Sequence, residues 1–190
     1  MGALVSSARL MPKPEHSNNF RSVAAVIRFV GTCVIGLLLD LATKVWAFRV
    51  LSAGDSYAIV PGWLHLEITT NHGAVFGLGQ GQRWLFVGVS IVAIAFLSYI
   101  FARSDRRQWI YHILLGMLLA GVLGNLYDRI VFGYVRDMIH ALPRWPRLFP
   151  YIFNVADSLL CVGVFFTIVY SMFQSPAGRP EPQMNANERG

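Results

Sequence analysis

Charge is what this sequence has little of. Only 14% of its 190 residues are Asp, Glu, Lys or Arg, while 55% are hydrophobic. A soluble domain of this length carries nearer a quarter charged residues. The deficit is concentrated: Trp84 to Ala102, Gln108 to Tyr127 and Ser158 to Gly178 contain no charged residue at all. Cysteine is equally scarce. Cys33 and Cys161 fall inside apolar runs, which excludes a disulfide framework and any paired-cysteine metal motif. Several catalytic signatures are also missing. There is no HExxH among the scattered His65, His72, His112 and His140, no GxSxG, and no Ser-Lys arrangement. The glycine-rich stretch at 73–81 lacks the Lys-Ser/Thr of a phosphate loop. Metal, serine and nucleotide chemistry therefore have no visible ligand or nucleophile set, and no cofactor is expected.

What remains is apolar length. Each charge-free run approaches the roughly 20 residues a helix needs to cross a bilayer core. A fourth, Phe29 to Phe48, is broken only by Asp40 and Lys44. It exceeds the apolar part of a cleavable signal peptide and carries charge, so it reads as a retained helix. The expected fold is an all-α membrane protein of four transmembrane helices at 28–174, with a small β-containing element on the outer face. The flanking segments 1–27 and 175–190 are polar and proline-bearing and read as cytoplasmic tails. The net charge of +6 comes from basic residues placed as in a membrane protein, Arg103, Arg106 and Arg107 above all. By the positive-inside rule that link and both termini face the cytoplasm. Nucleic acid is not an expected partner; membrane lipid is.

The two other links are longer. Trp63 to Thr69 alternates apolar and polar residues, as a strand with one buried face does. Pro61-Gly62 before it reads as a turn, and Asn71 to Gly79 is too glycine-rich for a regular strand. The 133–151 link holds Pro143, Pro146 and Pro150 with Trp145, Phe149 and Tyr151, a composition suited to the membrane interface.

Acids within the apolar regions carry the functional signal, because an ionisable group there is costly unless paired or facing a wet cavity. With the topology above, Asp40, Asp128, Asp137 and Asp157 gather at one side of the membrane. Asp40 and Lys44 stand at i, i+4 and fit a structural pair, although Lys44 could also extend toward the headgroups. Asp128 is followed by Arg129, with Asn125 a turn earlier, and the three suggest an internally satisfied polar cluster. Asp137 and Asp157 have no cation at helical spacing, and Arg136 in an extended segment points away from Asp137. Two such carboxylates can share one proton and hydrolyse a peptide bond. Acid pairs also serve transporters and proton pumps, so spacing alone leaves that reading open.

Four blocks in order resemble the bacterial lipoprotein signal peptidases, or signal peptidase II. They are Asp40-Leu41-Ala42-Thr43-Lys44; Asn71-His72-Gly73-Ala74-Val75-Phe76-Gly77; Gly124-Asn125-Leu126-Tyr127-Asp128-Arg129 running on to Gly133-Tyr134-Val135-Arg136-Asp137; and Phe153-Asn154-Val155-Ala156-Asp157-Ser158. The resemblance implies that Asp137 and Asp157 are the catalytic pair of an intramembrane aspartic protease. It implies supporting or substrate-binding roles for Asp40, Lys44, Asn71, Gly73, Asn125, Asp128, Arg129 and Asn154. It further implies a monomer in the bacterial inner membrane, with the active site toward the outer face. The substrate would be a prolipoprotein already carrying a diacylglyceryl group on its lipobox cysteine, cut N-terminal to that cysteine. His72, Val75 and Met138 depart from the residues common in the family.

Overall fold

Four long apolar helices leave their backbone groups satisfied internally, the one economical way to cross hydrocarbon with a chain of this length. The computed structural model describes residues 22–73, 79–147 and 151–173. Its helices are α1 (Val23–Val50), α2 (Arg83–Arg103), α3 (Trp109–Val131) and α4 (Val155–Phe173). All four have the length and composition of membrane spans. α1 begins at Val23, so residues 23–27, expected in the tail, are helical. Val23-Ala24-Ala25-Val26-Ile27 is an apolar turn hidden in the sequence behind Arg28. Residues 1–21 and 174–190, and Ala74 to Leu78 of the glycine-rich stretch, lie outside the described residues.

The remaining elements form one antiparallel sheet in the order β1 (Tyr57–Val60), β2 (Leu64–Asn71), β3 (Val135–Ala141), β4 (Ile152–Phe153). β2 takes up 64–69 of the strand expected at 63–69 and continues through Asn71, while Trp63 belongs to the preceding turn. β3 lies in a link read only as interfacial. The sheet joins the end of the bundle where α1 and α3 finish and α2 and α4 begin. The Arg103–Gln108 link is at the opposite end.

α3 is the central helix, packed on α1, α2 and α4, and small residues on it set how closely its neighbours approach. A Cβ at Gly121 would come within 2.6 Å of the Ala156 carbonyl oxygen, and one at Gly124 would take the place of the Asp40 carboxylate. The apolar core lies among α1, α2 and α3, where Phe29 of α1 stacks on Phe101 of α2 with ring centroids 4.2 Å apart. His112 is fully buried there, against Phe101 and 3.2 Å from Ser104 Oγ, far from the acids. A second small core, Ala47, Leu51 and Met138, seats the sheet on the end of α1.

Candidate active site

The sheet end of the bundle collects Asp40, Lys44, Asn71, Gly73, Asn125, Asp128, Arg129, Asp137, Asn154 and Asp157. Asp40, Lys44 and Asp128 are completely buried, as is Asn154. Lys44 Nζ lies 2.8 Å from Asp40 Oδ2 and 3.3 Å from Asp128 Oδ2. The i, i+4 pair therefore forms, and Lys44 does not extend to the headgroup region. Asp40 also receives the Ala156 backbone N–H at 2.8 Å, tying α1 to the first turn of α4.

Asp128 does not pair with Arg129. Its carboxylate takes both Arg136 Nε (3.1 Å) and Arg136 Nη2 (2.7 Å), and also the Arg136 backbone N–H at 3.0 Å. The reason is directional. Neighbours on a helix diverge by about 100°, whereas β3 returns beside the end of α3 with Arg136 aimed at it. Arg136 does point away from Asp137, as alternation requires. Arg129 is left to reach the other way. It donates to the Gly73 carbonyl at 2.9 Å and lies over the Phe86 ring at 5.1 Å. Hence Arg129→Ala should leave the Asp128 ion pair intact and shift the melting temperature by only a few degrees. The loss should fall on cleavage, through the Gly73 loop. A melting temperature lowered as far as by removing Arg136 would contradict this assignment.

Asp137 and Asp157 are bridged by one residue. Asn154 is the N-cap of α4, and its Oδ1 accepts the Asp157 N–H at 2.9 Å while the Asp157 carboxylate accepts the Asn154 N–H at 3.2 Å. That reciprocal arrangement is a capping box. With its oxygen committed, the amide nitrogen of Asn154 faces Asp137 Oδ1 at 2.6 Å and Asn125 Oδ1 at 3.2 Å. Asn125 Oδ1 also accepts from Lys44 Nζ (3.1 Å), so its own nitrogen turns to Asp157 Oδ1 at 2.8 Å. On the far side Asn71 Nδ2 donates to Asp137 Oδ2 at 3.2 Å, while Asn71 Oδ1 caps the Gly73 N–H at 2.9 Å. Three asparagines thus hold two carboxylates. Among the described residues neither carboxylate belongs to an ion pair. Burial pushes the Asp137 carboxyl up to about 7; the Asp157 charge adds to this, against the hydrogen bonds from Asn154 and Asn71.

Both acids line a cavity of about 850 Å³. Its polar end holds Asn71, Arg129 and the two acids, and its apolar walls come from Val89 and Ala93 of α2 and Leu160 of α4. Sequence reasoning missed the α2 wall. Those residues bear no chemistry, and a uniformly apolar span does not announce which side faces a groove. Among the described residues no group of three His, Cys, Asp or Glu side chains is placed to hold a metal ion.

Comparison with known proteins identifies the family. Residues 32–173 match the family described as signal peptidase (SPase) II. The lipoprotein signal peptidase of Serratia proteamaculans is 35% identical over 158 residues, covering 80% of this chain and 90% of that one. That of Desulfitobacterium hafniense is 34% identical over 136 residues, covering 72% and 87%. A solved bacterial membrane enzyme superposes with a TM-score of 0.74 at 27% identity, covering 88% of this chain and 99% of its own. With three of the spans, most of the first, the sheet and all four sequence blocks inside residues 32–173, the chain belongs to the signal peptidase II family of membrane peptidases.

Proposed function

We propose that this peptidase, which removes signal peptides from prolipoproteins, cuts them with Asp137 and Asp157 acting as an aspartic dyad. The observation carrying the proposal is the arrangement of two carboxylates with no ion pair among the described residues, bridged by Asn154 at the polar end of an otherwise apolar groove. Two carboxylates so placed share a proton. Asp157 lies in the first turn of α4, where the positive helix end stabilises an anion, and accepts two N–H groups. It is the base that takes a proton from water as the water oxygen bonds to the scissile carbonyl carbon. Asp137, holding its proton up to about pH 7, hydrogen-bonds the carbonyl oxygen and then protonates the leaving nitrogen as the C–N bond breaks. A small transporter, the other reading of such acids, is not favoured by the family match.

The apolar walls suit the acyl chains of a diacylglyceryl-cysteine, and the polar end suits the peptide on the N-terminal side of that cysteine. The sheet end is assigned to the outer face of the bacterial inner membrane, with both termini cytoplasmic. Arg103, Arg106 and Arg107 at the opposite end support that orientation. The enzyme is taken to act as a monomer, since one chain supplies the whole dyad and its supports.

Purified protein in detergent with a diacylated lipobox peptide is the direct test. Cleavage N-terminal to the cysteine is expected, unaffected by chelators. The rate should fall about tenfold per pH unit above an apparent pKa of about 7, as Asp137 loses its proton. EDTA inactivation reversed by zinc, or cleavage of the non-lipidated peptide at equal rate, would contradict the proposal.

A further inference from the structure

The register between β2 and β3 changes once. Leu66 stands opposite Ile139, but Thr69 stands opposite Asp137, with an irregularity between. β2 uses three residues where β3 uses two, so one extra residue is inserted at Glu67–Ile68, a β-bulge. Side chains alternate between faces, and one inserted residue reverses the assignment of everything after it. Ile139 and Asp137 share a face of β3. In an unbroken ladder that face would meet Leu66, Ile68 and Thr70, and Asn71 would project from the opposite face. With the bulge, Thr69 and Asn71 come onto the Asp137 face, and Asn71 Nδ2 reaches Asp137 Oδ2. The bulge is thus the reason Asn71 meets the acid.

Bulge residues lose ladder pairing and need another tether. Glu67 has one: its Oε2 receives His140 Nδ1 at 3.0 Å, from the strand that carries Asp137 three positions earlier. Neither Glu67 nor His140 lines the groove. Both are only part-buried, at 32% and 18% side-chain exposure. We propose that Glu67 and His140 form a clamp that fixes the bulge and so positions Asn71 against Asp137. They are positioning residues, outside the four sequence blocks, and the inference rests on the reading of Asp137 as catalytic.

A mutant cycle on single-turnover cleavage of the diacylated peptide, with melting temperatures alongside, tests the clamp. Glu67→Ala and His140→Ala should each slow cleavage roughly tenfold, the scale of a small misplacement in an active site. In an Asn71→Ala background the same changes should cost less than about twofold, because the positioned group is already gone. His140→Asn keeps an N–H donor near the Nδ1 position and should retain most of the rate. Ser56→Ala removes the neighbouring Ser56–His65 contact, 2.9 Å, outside the bulge and should leave the rate unchanged. Normal rates for both alanine variants, or losses that multiply fully with Asn71→Ala, would overturn the clamp. Asp137→Asn assayed in parallel separates the two claims. If it cleaves, the catalytic reading fails; if it is inactive while the cycle shows no coupling, only the clamp fails.

Discussion

Asp137→Asn is expected to lower cleavage by about 10³-fold or more, and in the same protein to raise the melting temperature at pH 8. An amide at this position can neither hold nor deliver the proton that the leaving nitrogen needs. The stability gain follows from linkage. A carboxyl free in the unfolded chain titrates near 4, whereas Asp137 in the fold titrates at about 7. Between those values the folded protein keeps a proton that the unfolded chain has released, so stability falls as pH rises through the window. The cost is absent below pH 4 and fully present above pH 7, at most about 4 kcal/mol. The substituted amide does not ionise and escapes it. Part of the gain is offset, because Asn71 and Asn154 both present amide nitrogens to this side chain and an amide offers them only one oxygen. A net stabilisation of about 2 kcal/mol at pH 8, turning into a net destabilisation of about 2 kcal/mol at pH 4 where only the lost hydrogen bond remains, is the expected result. Thermal melts of wild type and variant at both pH values check it. A variant equally destabilised at both would show that Asp137 is held for structure.

How much of this is legible in the sequence depends on the range of the interaction that fixes each feature. The spans depend on nothing but runs of apolar residues, and they are visible, apart from the turn of α1 before Arg28. Asp40 and Lys44 are a helical i, i+4 pair, and their contact follows from spacing. β3 is not visible as a strand, for a physical reason. Val135, Arg136, Asp137 and Met138 are all buried, because one face meets α1 and α3 and the other meets the groove. Period-2 alternation, the usual sign of a strand, needs one wet face. With β3 hidden, the true partner of Asp128 is hidden too. Arg129 stands next in sequence, but the charge that reaches Asp128 comes from a neighbouring element. The asparagines at 71 and 154 stand out only through the family blocks, and Asn125 otherwise only as a member of a polar cluster with Asp128 and Arg129. Their roles as amides of fixed orientation appear when donors and acceptors are counted in three dimensions.

Lys44→Met should destabilise the fold by about 3–5 kcal/mol, the usual cost of leaving buried charge without its partner. Asp40, Lys44, Asp128 and Arg136 form a neutral set, two acids and two bases, each nearly or wholly removed from solvent. Methionine fills the volume of the lysine stem but leaves Asp40 with no cation and only the Ala156 N–H as a donor. Asp128 keeps Arg136, so the damage centres on Asp40. Asp40→Asn in addition should then restore part of the loss, although Asp40→Asn alone is destabilising, and that reversal marks a charge effect apart from packing. The catalytic consequence is separate. Without Lys44 Nζ, Asn125 Oδ1 keeps only the Asn154 amide at 3.2 Å, and its nitrogen is held less firmly on Asp157. The double variant should therefore recover stability more than activity. Melting temperature and single-turnover rate for the two single variants and the double variant distinguish the effects. If Lys44→Met melts with wild type, Asp40 is not relying on it; if the double variant regains both properties together, Lys44 supports the fold and has no part in orienting Asn125.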